Sequence, residues 1–162
     1  MQNAKDTFYM TLRSRLAVLN PARTVVVRGA LRPGVLVDEN ELATASTTVD
    51  AFVVQWTGLV VDTHGPMPLA AMTCEVHYAT DGNSGNGGMD RGRLLEEMDA
   101  ELVQTMQPRS AIKMNYTVSP AAAMGTCVFW GDIAFGDAKT VAERLERTAT
   151  VQVFAYQEAG EL

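Results

Sequence analysis

Apolar positions along this chain follow two rhythms, and the switches between them outline its elements. From Asp6 to Leu19, Phe8, Leu12, Leu16 and Leu19 recur at three- and four-residue steps with Arg13 and Arg15 off that stripe, which predicts an amphipathic helix. Asn20-Pro21 closes it, because the residue before a proline avoids helical angles. Thr24–Ala30 gathers β-branched residues behind that turn and predicts a strand. Periodicity then lapses from Leu31 to Thr48, where Pro33-Gly34 and the acidic run Asp38-Glu-Asn-Glu41 read as an inserted exposed loop or hairpin tip. Over Val49–Val61 the period becomes two, with Phe52, Val54 and Trp56 on one face and Val53, Gln55 and Thr57 on the other. His64-Gly65-Pro66 is a turn. Met67–Tyr78 sets Ala70, Met72, Cys74, Val76 and Tyr78 against Thr73, Glu75 and His77, so the two strands predict an antiparallel hairpin with one apolar face.

The helical period returns over Met89–Met106, where Leu94, Leu95, Met98, Leu102 and Met106 make a stripe and Glu96, Glu97, Glu101 and Gln104 face away. Asp90 is placed as a cap or first-turn acid that satisfies orphan amides and complements the helix dipole, and Pro108 stops the helix. The chain then reads as irregular to Gly125. Thr126–Trp130 follows as a short strand, Asp137–Glu143 as a connection with room for one helical turn, and Arg144–Gln157 as a last strand. The expected fold is a single α+β domain over 1–162, in the order α-β-β-β-α-β-β. Four to five strands form a mostly antiparallel, mixed sheet, and both helices pack on one face of it.

Composition narrows the function classes. With 47% hydrophobic and 20% charged residues in 162, the chain is that of a globular protein with a sizeable core. No stretch has the apolar length to span a bilayer, and the N-terminal Met1–Thr7 lacks a signal-peptide core, so the protein is expected to stay where it is made. Cys74 and Cys127 lie far apart within apolar runs and read as buried free thiols. A net charge of −6, with only Lys5, Lys113 and Lys139 as lysines and the arginines scattered, argues against a phosphate-tracking DNA binder.

Candidate chemistry concentrates where a strand feeds Gly82-Asn-Ser-Gly-Asn-Gly-Gly88 and then a helix. Such a loop could cradle phosphate on backbone amides. A Walker loop needs Lys and Ser/Thr after its last glycine, however, and Met89-Asp90 stands there instead. Asp81, Asn83, Asn86 and Asp90 offer oxygens, but without EF-hand spacing or a closing Glu. Glu75 and His77 share a strand face, with His64 across the turn, and could form a zinc fragment or an acid–base pair. Two histidines are too few for a three-ligand site without added carboxylates. No Gly-x-Ser-x-Gly elbow is present, and neither cysteine sits in a nucleophile motif. The residues therefore assign no catalytic, cofactor-binding or metal-binding position. The scattered methionines (Met67, Met72, Met89, Met98, Met106, Met114, Met124) suit irregular packing and shared interfaces.

The stretch Cys74-Glu-Val-His-Tyr-Ala-Thr-Asp-Gly82, followed by Gly88-Met-Asp-Arg91 and Leu94-Leu-Glu-Glu-Met-Asp-Ala-Glu-Leu102, resembles the tail terminator (tail completion) proteins of long-tailed bacteriophages. An N-terminal helix, a strand, a long loop and a hairpin precede it. The likeness spans residues 5–156 and rests on element order and hydrophobic pattern. It implies a small α/β subunit of a ring, with a hexamer as the implied form, that caps the tail tube and meets the head connector. It also implies assembly in the bacterial host cytoplasm, a place in the virion tail, and no catalytic residues. The 31–48 segment and Ala121–Ala123 depart from the pattern. An acidic surface suits a DNA channel, because phosphate contacts would stall passage. Two other readings stand beside it: a small-molecule or nucleotide-binding enzyme using the 82–88 loop and the Glu75/His77 face, and another tail-tube or baseplate subunit.

Overall fold

The computed structural model describes residues 1–41, 48–83 and 89–161. Its first element, α1 (Gln2–Leu19), starts earlier than the periodicity predicts, because Ala4 extends the buried row of Phe8, Leu12 and Leu16 by one turn. Leu19, expected on that row, is instead exposed at the helix end. A hairpin of β1 (Thr24–Val27) and β2 (Ala30–Pro33) follows, with β3 (Val35–Val37) and the short α2 (Asp38–Glu41) behind it. The long strands β4 (Phe52–Asp62) and β5 (Leu69–Thr80) lead to α3 (Asp90–Thr105). Then come β6 (Ser110–Asn115), β7 (Ala122–Trp130), β8 (Ala134–Phe135), β9 (Lys139–Val141) and β10 (Arg144–Tyr156).

The protein is α+β, with eight strands among the described residues in one mixed sheet of order β3-β4-β5-β10-β7-β6 to which β8 and β9 add along β10. β4 and β5 form the expected antiparallel hairpin, and β3 joins β4 in parallel. Buried residues alternate along the central strands: Met72, Cys74, Val76 and Tyr78 on β5, and Ala149, Val151, Val153 and Ala155 on β10. That face receives α1 through Phe8, Leu12 and Leu16 and α3 through Leu95, Met98 and Leu102. Phe8 sits edge-on between Trp56 and Trp130, with ring centres 5.7 and 5.3 Å away. Edge-to-face rings match the positive rim of one quadrupole to the negative face of the other.

Four expectations need correction. The 31–48 segment is not simply an exposed insertion: Val35, Leu36 and Val37 are all buried, Val35 and Val37 within the main core. Residues 42–47 of it lie outside the described residues. The strand expected over Thr24–Ala30 turns back at Arg28-Gly29, both at positive φ (51° and 79°), which suits the twist of a two-residue hairpin. The stretch after Pro108 forms β6 and the start of β7, whose polar and small residues conceal an edge pairing. Asp137–Glu143 holds β9 and no helical turn among the described residues. β7, β8 and β9 thus run in short lengths along one side of β10, and the amides of Gly131 and Gly136 donate to the Gln152 and Thr148 carbonyls between them. The sheet therefore has eight strands rather than four or five, and its element order is longer than α-β-β-β-α-β-β.

A register shift between Trp56 and Gly58 of β4 has a wider effect. Thr57 is the extra residue of this bulge, so even-numbered residues face the helices before it and odd-numbered residues face them after it. Gly58 sits close to the partner strand there: a Cβ would lie 3.0 Å from the Thr73 hydroxyl. Beyond the bulge, Val60 is turned onto the face that no helix covers among the described residues.

Candidate functional site

The uncovered face of the sheet has a polar end and an apolar end. At the polar end, the β5 and β10 registers bring Glu75 and His77 beside Gln55 and Thr148, so the predicted Glu/His pair does share one surface. His77 Nε2 donates to Gln55 Oε1 at 3.0 Å and lies 3.3 Å from Glu75 Oε2. The Thr148 hydroxyl lies 2.9 Å from His77 Nδ1 and donates to it in that tautomer. A carboxylate, an imidazole and a hydroxyl in a row are the components of nucleophilic catalysis. On β5, central in the β4–β5–β10 ladders, the backbone amides beside them pair within the plane of the sheet rather than turning toward this surface. Thr73 and Gln152 continue the row with mutual hydrogen bonds, the pattern of a solvated sheet surface. His64 does not join it: at the β4–β5 turn it bonds to Asp62, whose carboxylate is held below its usual range by the His64 backbone and side chain.

The 82–88 loop lies outside the described residues at 84–88, which removes Asn86 from view. At its start the oxygens weighed above against the EF-hand pattern already have partners. Arg144 Nε donates to the Asp81 carboxylate at 2.9 Å, and the Asp90 carboxylate accepts the Asn83 amide. Gly82 has φ +76°, and any Cβ there would overlap the Arg91 side chain and the Asp90 carboxylate. Asp90 therefore ties the loop to the first turn of α3. Among the described residues no cluster of three His, Cys, Asp or Glu could hold a metal ion.

Sequence patterns missed three polar clusters. In the first, Asp99 of α3 accepts hydrogen bonds from the Tyr78 hydroxyl and from Arg147, pinning the helix to β5 and β10. Burial first, and then Asp99, push the Tyr78 phenol well above its ordinary range. Beside this cluster lies a cleft of about 490 Å³ lined by Met89, Arg93, Glu96, Asp99, Leu145 and Arg147. In the second, Arg15 of α1 donates to the carbonyls of Thr105, Pro108 and Ser110 at 3.2, 2.7 and 3.1 Å. It thereby supplies the cation that the last turn of α3 lacks. In the third, the fully buried Lys113 donates to the Tyr156 carbonyl and to Glu161 Oε2, both at 2.6 Å. None of the three has a spacing signature, because each joins residues distant in sequence. Burial pushes the Cys74 thiol well above its ordinary value, consistent with an inert core residue, and Cys127 is half-buried.

The apolar end of the uncovered face runs across the sheet. The registers align Val60, Ala71, Phe154 and Phe129, with Leu69 beside Tyr156 and Cys127 beside Ile112. A depression of about 290 Å³ lined by Asp62, Pro66, Met67, Leu69 and Tyr156 opens at its margin. No helix among the described residues is long and apolar enough to cross a membrane. No family model matches this sequence, and no curated protein aligns with it at a significant level.

Proposed function

We propose that this protein is a structural subunit of a bacteriophage tail: a ring-forming terminator that caps the tail tube and joins it to the head connector. Its site of action is the virion tail, after assembly in the bacterial host cytoplasm, and a hexamer is the ring that the resemblance implies. The observation that carries this reading is the division of the sheet into one face sealed by two helices and one face left open with an apolar end. Val60, Ile112 and Phe129 are 70%, 59% and 44% exposed there, a row of apolar side chains turned to solvent. Association with other subunits gives such a surface a purpose. The net charge of −6 favours a channel that does not hold DNA.

The rival enzyme reading draws on the Glu75–His77–Thr148 row, and another tail-tube or baseplate subunit shares every feature named so far. Light scattering coupled to size exclusion, followed by negative-stain imaging, separates these. Closed rings, or binding to tail-tube or head-connector proteins from the same genome, support the terminator. An open stack supports a tube subunit. Micromolar ATP or GTP affinity by calorimetry, in a protein that stays monomeric at high concentration, returns the enzyme reading.

A further inference from the structure

The β1–β2 hairpin stands apart from the eight-stranded sheet as a ribbon of its own. Its root is firm. The Arg23 carbonyl accepts the Gly34 amide at 2.9 Å, and the Arg23 guanidinium pairs with Glu101 of α3. Beyond the root its two strands pair with each other and, among the described residues, with no other strand, over four residue pairs from Thr24–Pro33 to Val27–Ala30, while β2 rests against α1. At about 3.3 Å per residue the ribbon reaches on the order of 13 Å. Two-stranded ribbons are marginal in water unless a third surface covers them. Here Val26 and Leu31 are directly opposed and 66% and 69% exposed, so one side of the ribbon is an uncovered apolar pair.

Charge indicates what covers it. Residues 24–33 hold two arginines, Arg28 and Arg32, and no acid, so taking them from 13 basic against 19 acidic residues leaves the rest of the chain more acidic than −6. The ribbon is thus a basic, apolar-sided arm on an acidic body. On that body, the apolar end of the uncovered sheet face is bordered by Asp62, which shares its face with Val60 two residues away. Its carboxylate accepts from the His64 amide and lies 2.7 Å from the His64 ring nitrogen. Within one chain the arm and this patch lie on opposite sides of the sheet: the arm is rooted on α3, on the helix-covered side.

We propose that the β1–β2 arm is the element by which one copy of this chain grips the next: Val26 and Leu31 bury against Val60, Phe129 and Tyr156 of a second copy, with Arg28 facing its Asp62. Two different patches meet in this contact, so it is heterologous and propagates head to tail, closing into a ring when the rotation permits. The inference rests on the ring reading above and deepens it by naming the joint.

Thiol trapping tests it, in a Cys127→Ser background where only the buried Cys74 remains. Leu31→Cys and Val60→Cys proteins, purified separately and mixed at high concentration under mild oxidation, are expected to give a covalent heterodimer. Each alone should give at least tenfold less homodimer. Val26→Asp/Leu31→Asp, at exposed positions, should leave the melting curve unchanged and abolish both oligomers and rings. Arg28→Glu should weaken association, and Arg28→Glu/Asp62→Arg should restore it. Dominant homodimers of either cysteine variant, or no cross-link at all, overturn the proposal. Rings that persist in Val26→Asp/Leu31→Asp refute the arm and leave the ring reading standing. A Leu31–Val60 cross-link without rings upholds the arm and removes the ring.

Discussion

Replacing Lys113 with methionine tests how the C-terminal segment is held. The Lys113 amine is fully buried, donates to Tyr156 O and Glu161 Oε2 at 2.6 Å, and lies 3.5 Å from Glu158 Oε1. Methionine keeps the volume and removes the charge, leaving the nearly buried Glu161 with Asn3 at 3.2 Å and the Glu158 amide at 2.8 Å as its donors and the Met1 amine 3.9 Å away. Breaking a buried pair from one side costs about 3–5 kcal/mol, and the two surviving donors place this case near 3 kcal/mol. For a chain of this size that corresponds to a fall in Tm on the order of 10 °C. Lys113→Met/Glu161→Leu, which removes both charges, should regain at least about 1 kcal/mol.

The pH dependence carries a sign. Burial pushes the Glu161 carboxyl up, but the Lys113 hydrogen bond, the Glu158 amide and Asn3 together hold it below its usual value. Glu158 is also held down, chiefly by the Thr126 hydroxyl. Their contribution is therefore fully present above the unfolded carboxylate value of about 4.3 and is lost as pH falls through the lower folded values. In Lys113→Met the balance at Glu161 tips toward burial, so its folded value rises. The deficit of the variant should then shrink as pH is lowered from 7 toward 5. Urea unfolding followed by fluorescence of Trp56 and Trp130 at both pH values measures this. A loss below about 1 kcal/mol at pH 7, or a deficit that does not change with pH, would refute the reasoning.

Three further outcomes follow from the same geometry. Met98→Asp places a carboxylate at a fully buried position of the α3 stripe, and should cost on the order of 4 kcal/mol or more by chemical denaturation; a melt within a few degrees of wild type counts against the stripe. Arg28→Gly relieves a positive φ of 51° at the hairpin tip, and thermal unfolding should show either no loss or a gain of up to about 1 kcal/mol, whereas a clear loss would mean that the turn differs. Asp99→Ala removes the acceptor shared by Tyr78 and Arg147, and should cost about 2–3 kcal/mol and raise hydrogen exchange along α3; unchanged exchange there would show that the cluster does not anchor the helix.

Much of the fold was legible in single segments, because each such segment needs only its own period. The rows Phe8/Leu12/Leu16 and Leu95/Met98/Leu102 require one covering surface, and the alternation from Ala70 to Tyr78 requires one buried face. Together they set two helices on one side of a sheet. What the local pattern hid depends on partners far along the chain. Val35–Val37 looked like loop because Pro33-Gly34 precedes it, yet pairing with β4 buries all three residues. β8 and β9 are two and three residues long, too short to show a period, and exist only because β10 presents an edge. Lys113 reads as a surface lysine until the C-terminal carboxylates close over it. The Glu75/His77 face was readable, since residues two apart on a strand share a side, but Thr148 came to it only through the β5–β10 register. Val60 was hidden by a bulge at Thr57, whose single extra residue turns the rest of β4 over and gives the uncovered face its apolar end. Which way a side chain points is a local property only while the register holds, and here the partner strand decides where it breaks.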